Sequence, residues 1–316
     1  MNEIQLTRIC RTNRLRFVPP LTRSTGGTDP MGKTRHWLLP VLGSLGVALS
    51  STPAQATTLV EHNAIPNVEQ RWNAASFSTL LESSGAPEFG RCIKTAGGKY
   101  ADAGCTATGG GKEYEWYSAF GSAHPLEKTG FSDAIKEGTI ATLETVNKNV
   151  VNCTGQSATG KYTGNKTVGN VVVTFTGCSA FGMSCSSEGA ASGTIVTLQL
   201  EGVLGIEELG AEAVLNSVGQ DLFPVGHSGP IGEFNCGGVG LTIAGSIISP
   251  VNANAMKLTS AIKSKATKGK QHPENFVGEP AEVLVTTIEG GSPEQAGETL
   301  ATVQTNEEKV EINTVV

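Results

Sequence analysis

The chain has 316 residues, a formal net charge of −6, 16% charged and 5% aromatic residues, and 40 glycines. That length can bury one large β domain or two smaller ones, so the core does not depend on cross-links alone. The acidic balance excludes nucleic acid and anionic lipid as electrostatic partners.

In chain order, residues 1–30 read as an extension upstream of the natural start, Met31. The stretch Gly27 to Thr34, GTDPMGKT, fits the phosphate-loop pattern G-x-x-x-x-G-K-[ST]. Such a loop needs a buried strand before it and a helix after it. Here the upstream flank carries two adjacent prolines and several arginines, and Pro40 interrupts any helix that starts at Thr34. A cleaved leader over 31–56 accounts for the same residues: Lys33, Arg35 and His36 form its basic end, Trp37 to Leu49 its apolar run, and Ala54-Gln55-Ala56 its cleavage site. The apolar run is about half of the roughly 20 residues that span a bilayer. Seven of the 23 Lys and Arg and two of the 29 Asp and Glu lie before Thr57, so cleavage leaves 16 basic against 27 acidic side chains.

Residues 57–130 are expected to be loop-rich. One amphipathic stretch, VEQRWNAASFSTLLESSG, is spaced for a helical turn or two around Trp72 and Leu80. HPLEKTGFSDAIKEG, from His124, is the most linker-like segment. Beyond it, residues 131–316 are expected to be an antiparallel β domain, because short Val- and Thr-rich runs alternate with period two. Val171, Val173 and Phe175 form one such face. Val196, Leu198 and Leu200 form another, as do Val239, Leu241 and Ile243. Near the end, Val310 and Ile312 alternate with Lys309, Glu311 and Asn313, which are assigned to the wet face. Breaks are assigned to TGQSATGKYTGNKTVGN, VGHSGPIG, TKGKQHPENFVGEP and EGGSPEQAG. The expected fold is therefore mainly β, an antiparallel sandwich or barrel with a loop-rich, disulfide-containing N-terminal part.

Six cysteines follow the leader, and an even number in an exported chain points to three disulfides. The preferred set joins Cys92 with Cys105, Cys178 with Cys185, and Cys153 with Cys236. No C-x-x-C pair argues for zinc.

The ordered segments FGRCIKTAGGKYADAGCT, KEYEW, ATLETV, VGNVVVTFTGC, EFNCGG, KATKGKQHPENFVGEP and TNEEKVEI resemble a family of exported actinobacterial proteins of no known activity. The likeness covers nearly all of the chain after the leader. It implies secretion and a β-rich fold, and carries over no catalytic residue.

Candidates for chemistry are few. His227-Ser228 in VGHSGPIG invites a hydrolase reading, but Pro230 replaces the last glycine of G-x-S-x-G, so a turn is expected. His124 and His272 each precede proline and are expected in surface loops. Aspartates are too scattered for a calcium loop. Tyr114 and Trp116, two apart in a Tyr/Trp cluster, would share a strand face that either packs on pyranose rings or caps the core. Five lysines, Lys257, Lys263, Lys265, Lys268 and Lys270, make the basic patch of an acidic chain and are expected on a solvated hairpin, where anionic wall polymers are the candidate partner.

Together these readings predict an exported extracellular or cell-envelope protein, a non-catalytic binding or structural module that takes cell-wall polymers or extracellular glycans, with no metal, no cofactor and no membrane span after cleavage. The alternative is a secreted hydrolase acting on glycans or esters, since paired glutamates leave no sequence trace.

Overall fold

The computed structural model of the chain describes residues 86–315. The upstream extension, the leader and the amphipathic stretch around Trp72 lie outside the described residues. Nineteen strands make up the fold, with no α-helix among the described residues. The first two, β1 (Glu88–Lys94) and β2 (Tyr114–Ser118), pair as an antiparallel hairpin on the outside.

The others build one closed antiparallel barrel of eight staves, most of them broken once along their length. β3 (Gly130–Ile135) continues as β4 (Ala141–Thr145), and β5 (Val150–Cys153) as β6 (Gly155–Tyr162). β7 (Thr167–Thr176) continues as β8 (Ser179–Ala180). The fourth stave combines β9 (Met183–Ser186) with β10 (Ile195–Val196) and β11 (Leu200–Glu208). Next come β12 (Ser217–Pro224) with β13 (Gly232–Cys236), and β14 (Val239–Ala244) with β15 (Ile247–Val251). β16 (Lys257–Thr267) folds back through β17 (Lys270–His272), and β18 (Leu284–Ile288) completes its stave. The last stave, β19 (Glu294–Asn313), runs unbroken past both halves.

Two circuits of pairing show the closure. Around one half, β19, β4, β5, β8, β9, β13, β14 and β18 each pair with the next and return to β19. Around the other, β16 pairs with β19, then β3, β6, β7, β11, β12 and β15 follow. β15 lies back against β16, where Asn252 donates to the Ala261 carbonyl. Closure brings the barrel's own sheet edges together, which limits edge-to-edge association in an all-antiparallel chain of this size.

Inward side chains form two apolar plugs. Phe89, Phe131, Tyr162, Val171, Leu200 and Leu204 belong to the first, and Val151, Ile195, Phe234, Leu241, Ile243 and Leu284 to the second. The predicted faces of β7 and β14 hold, since Val171, Val173, Leu241 and Ile243 are all buried. Three expectations fail. Val196, Leu198 and Leu200 do not share a face: the chain leaves the ladder at 197–199, and Leu198 is 52% exposed. The supposed break TGQSATGKYTGNKTVGN is mostly β6 and the start of β7. Its inward Ala158 and Gly160 are small where a large side chain stands opposite: a Cβ on Gly160 would come within 2.4 Å of the Phe131 ring. The linker-like HPLEKTGFSDAIKEG contains β3, a stave of the barrel.

The disulfides are Cys92–Cys105, Cys153–Cys178 and Cys185–Cys236. The first is as predicted; the other two correct the preferred pairing. Cys178 and Cys185 face each other across the β8–β9 turn, but the Cys185 N–H donates to the Cys178 carbonyl, which makes them a hydrogen-bonded, widely spaced pair. Each therefore bridges outward to a closer neighbour, with Cα atoms 4.0 Å apart for Cys153–Cys178 and 4.1 Å apart for Cys185–Cys236.

Outside the barrel, the β1–β2 hairpin adds to the end of β19, where Gly90 is opposite Glu311 and Glu88 opposite Asn313. The disulfide-tied loop between β1 and β2 then lies over that end. This cover explains why Glu311 and Asn313, assigned to the wet face, are 1% and 0% exposed.

Candidate functional site

Between the two plugs the barrel encloses a cavity of about 170 Å³, lined by residues from every stave. One wall is apolar, made by Val171, Val173, Phe175, Ile231, Phe234 and Leu222 among others. The opposite wall is polar because β19 places Glu298, Thr302 and Gln304 inward at every second or fourth position, with Asp133 from β3, Gln156 from β6 and Ser264 from β16 beside them.

The hydrogen-bond census of this wall is lopsided. Gln156 Nε2 donates to Asp133 Oδ2 at 3.5 Å, and Ser264 Oγ donates to Glu298 Oε2 at 3.4 Å. Gln304 Nε2 donates to the Tyr162 hydroxyl at 3.0 Å and to Asn306 Oδ1 at 2.8 Å. These three donors are thus engaged, whereas Gln156 Oε1 and Asp133 Oδ1 are buried acceptors without a partner, and the Thr302 hydroxyl beside them is also unpartnered. Gln156 is only 6% exposed, so its free oxygen faces the lumen and not bulk water. An unpartnered buried acceptor is a standing cost of about 1–3 kcal/mol.

Electrostatics follow from the same burial. Loss of hydration raises the Asp133 carboxyl, against the nearby Thr302 hydroxyl and hydrogen bonds from Gln156 and the Ala134 amide. Glu298 is pushed up to about 7, chiefly by burial, with Ser264 opposing and Asp133 adding to the rise. No Lys, Arg or His lines the cavity. Two carboxyls sharing a lumen with no cation both hold their protons more tightly than free carboxyls do, since neither has a compensating charge.

The residues singled out in the sequence lie elsewhere. Tyr114 and Trp116 do share one face of β2, and there they pack on the Cys92–Cys105 disulfide and Tyr100. Trp116 lies so close over Gly90 that a Cβ there would meet its ring at 2.5 Å. Both aromatics are half-buried, and the indole N–H has no partner. On the other face, Glu115 accepts from the Lys99 amide and Tyr117 meets His124 edge to face, with centroids 4.4 Å apart. His227 stacks on Phe223 at 3.7 Å in a single 3-10 turn, as the turn reading expects, and burial lowers its imidazole to about 4. Ser228 beside it is exposed, as are His124 and His272. All five lysines of the basic patch are exposed, four of them on the β16–β17 hairpin from Lys263 on.

The lumen residues carry no sequence signal of a site, since Asp133 and Gln156 fall in segments whose composition reads as a linker and a break. Polar inward positions hide the period-two signal, although Phe131, Asp133, Ile135 and Gln156, Ala158, Gly160, Tyr162 keep strand spacing.

No group of three or more His, Cys, Asp or Glu among the described residues could hold a metal ion. No helix among them is long and apolar enough to cross a membrane. No protein family, curated protein or solved structure matches the chain.

Proposed function

We propose that this is an exported, non-catalytic binding protein that takes one small molecule into the lumen of its barrel. The observation that carries the reading is the cavity of about 170 Å³ with free acceptors on one wall and hydrocarbon on the other. An engineered apolar cavity of about 150 Å³ admits benzene, so the lumen suits a ligand of roughly that size. Export is supported by the leader over 31–56, and three disulfides are compatible with an oxidising compartment.

Two measurements test this. N-terminal sequencing of chain recovered from culture medium or the cell envelope should begin at Thr57; an intact chain from Met1 in the cytosol ends the export reading. Titration with toluene, followed by calorimetry or NMR, should show one saturable site, and Ala158→Leu, which adds bulk to the cavity wall, should abolish it with the far-UV circular dichroism unchanged. Binding that survives Ala158→Leu would place the ligand outside the lumen.

A further inference from the structure

Resting on the lumen reading, we infer that the molecule it takes is a primary amine, with a hydrocarbon body against the apolar wall and its ammonium head between Asp133, Gln156 and Glu298.

The argument is one of chemical complement. Of the wall's side-chain atoms left without a partner near Asp133, Gln156 Oε1 and Asp133 Oδ1 are pure acceptors, and the third, the Thr302 hydroxyl, can accept as well as donate. The donors of Gln156, Ser264 and Gln304 are already spent on Asp133, Glu298, Tyr162 and Asn306. A ligand with only acceptors, such as a ketone, ether or carboxylate, would leave these oxygens unsatisfied and add repulsion. A hydroxyl supplies one donor. An ammonium supplies three and no acceptor, and brings the positive charge that no lining residue provides. Ion pairing with hydrogen bonding is roughly twice as strong as a neutral hydrogen bond.

Size sets the rest of the molecule. Apolar side chains from β7, β12 and β13 form the facing wall, so a single ring or a chain of about six carbons fits beside the head, as benzene fits a cavity of similar volume. The titratable side chains facing the head are Asp133 from β3 and Glu298 from β19; Cys153 from β5 is held in a disulfide. Burial raises both carboxyls, and Glu298 reaches about 7. An amine is therefore held more tightly as Glu298 ionises, around pH 7, while a neutral ligand is not.

The test is isothermal titration of the full chain, disulfides formed, with three molecules of nearly one shape: benzylamine, benzyl alcohol and toluene, at pH 6 and pH 8. Benzylamine is expected to bind about tenfold or more tighter than the other two at pH 8, with the preference shrinking at pH 6. Asp133→Asn or Glu298→Gln should reduce that preference to about threefold or less while leaving toluene affinity in place. If either variant fails to fold, the wild-type series decides alone. Toluene or benzyl alcohol binding as tightly as benzylamine overturns the amine and leaves the lumen reading standing. Failure of all three to bind overturns both.

Discussion

Glu298 and Glu311 occupy the same strand, thirteen positions apart, and lose water in opposite ways. The inward residues of β19 include Glu298, Thr302, Gln304, Asn306, Val310 and Ile312. Glu298 therefore enters the lumen, where Ser264 donates to it and Asp133 stands near. Glu311 is on the outer face, where the tied loop, with Asp102 and Gly104 near its carboxylate, covers it from solvent. Neither of its oxygens has a hydrogen-bond partner, and burial, with Asp102 adding repulsion, pushes it up to about 8. Asp102 itself goes the other way: burial would raise it, but hydrogen bonds from the Ala107 amide, the Thr106 hydroxyl and the Gly104 and Thr106 amides outweigh that and lower it. A barrel thus desolvates one carboxyl by enclosure and the other by a lid, and the lid is the part that can be removed.

Removing it is the largest test. Replacing Cys92 and Cys105 together by serine frees a loop of sequence separation 13 and should cost about 3 kcal/mol in urea unfolding. In the same variant, carboxyl NMR titration should show Glu311 falling toward an ordinary glutamate while Glu298 stays near 7. Parallel movement of both would break the comparison, because the two sites would then share one cause.

Trp116→Ala attacks the same lid from its other side and should cost about 2 kcal/mol, as for a half-buried aromatic lost from a packed contact. Reduced stability with the barrel's strand signal retained is the expected readout. Unchanged stability would return Trp116 to the ligand-surface reading.

The pH dependence is next in size. Glu311 and Glu298 hold their protons more tightly folded than unfolded, so the stability they contribute is complete below about 4.5 and is lost as pH rises, by about 8 for Glu311 and about 7 for Glu298. Urea midpoints should therefore decline from pH 5 to pH 8.5. Glu311→Gln should recover about 1–2 kcal/mol at pH 8.5 and almost nothing at pH 4.5, since a neutral amide removes the cost of ionising an enclosed carboxyl. A midpoint that rises over that range would sink the assignment.

Glu298→Gln should give the smallest gain, under about 1 kcal/mol at pH 8.5, because Ser264 already satisfies one oxygen. A gain larger than that of Glu311→Gln would mean that enclosure in the lumen, and not the lid, is the harsher environment.

Much of the barrel was legible along the chain wherever inward positions were apolar. β7 and β14 announce themselves through Val171, Val173, Leu241 and Ile243; of the two disulfides expected between sequence neighbours, Cys92–Cys105 forms and Cys178–Cys185 does not. Legibility fails where the lumen turns polar. β3 and β6 keep strand spacing but fill it with Asp133, Gln156 and Gly160, residue types that also punctuate loops. Leu198 fails for the opposite reason: it is apolar in a fragment that has left the ladder.

Local pattern by itself determined the antiparallel β class and the even set of six cysteines after residue 56, since each is read from residues as they stand along the chain. Only the closed barrel decided which face of β19 is wet, which cysteines meet, and that a cluster of acceptors surrounds an interior space. Those outcomes depend on staves distant in sequence arriving side by side, and on a loop two hundred residues upstream covering the last strand, so no window of the sequence contains them.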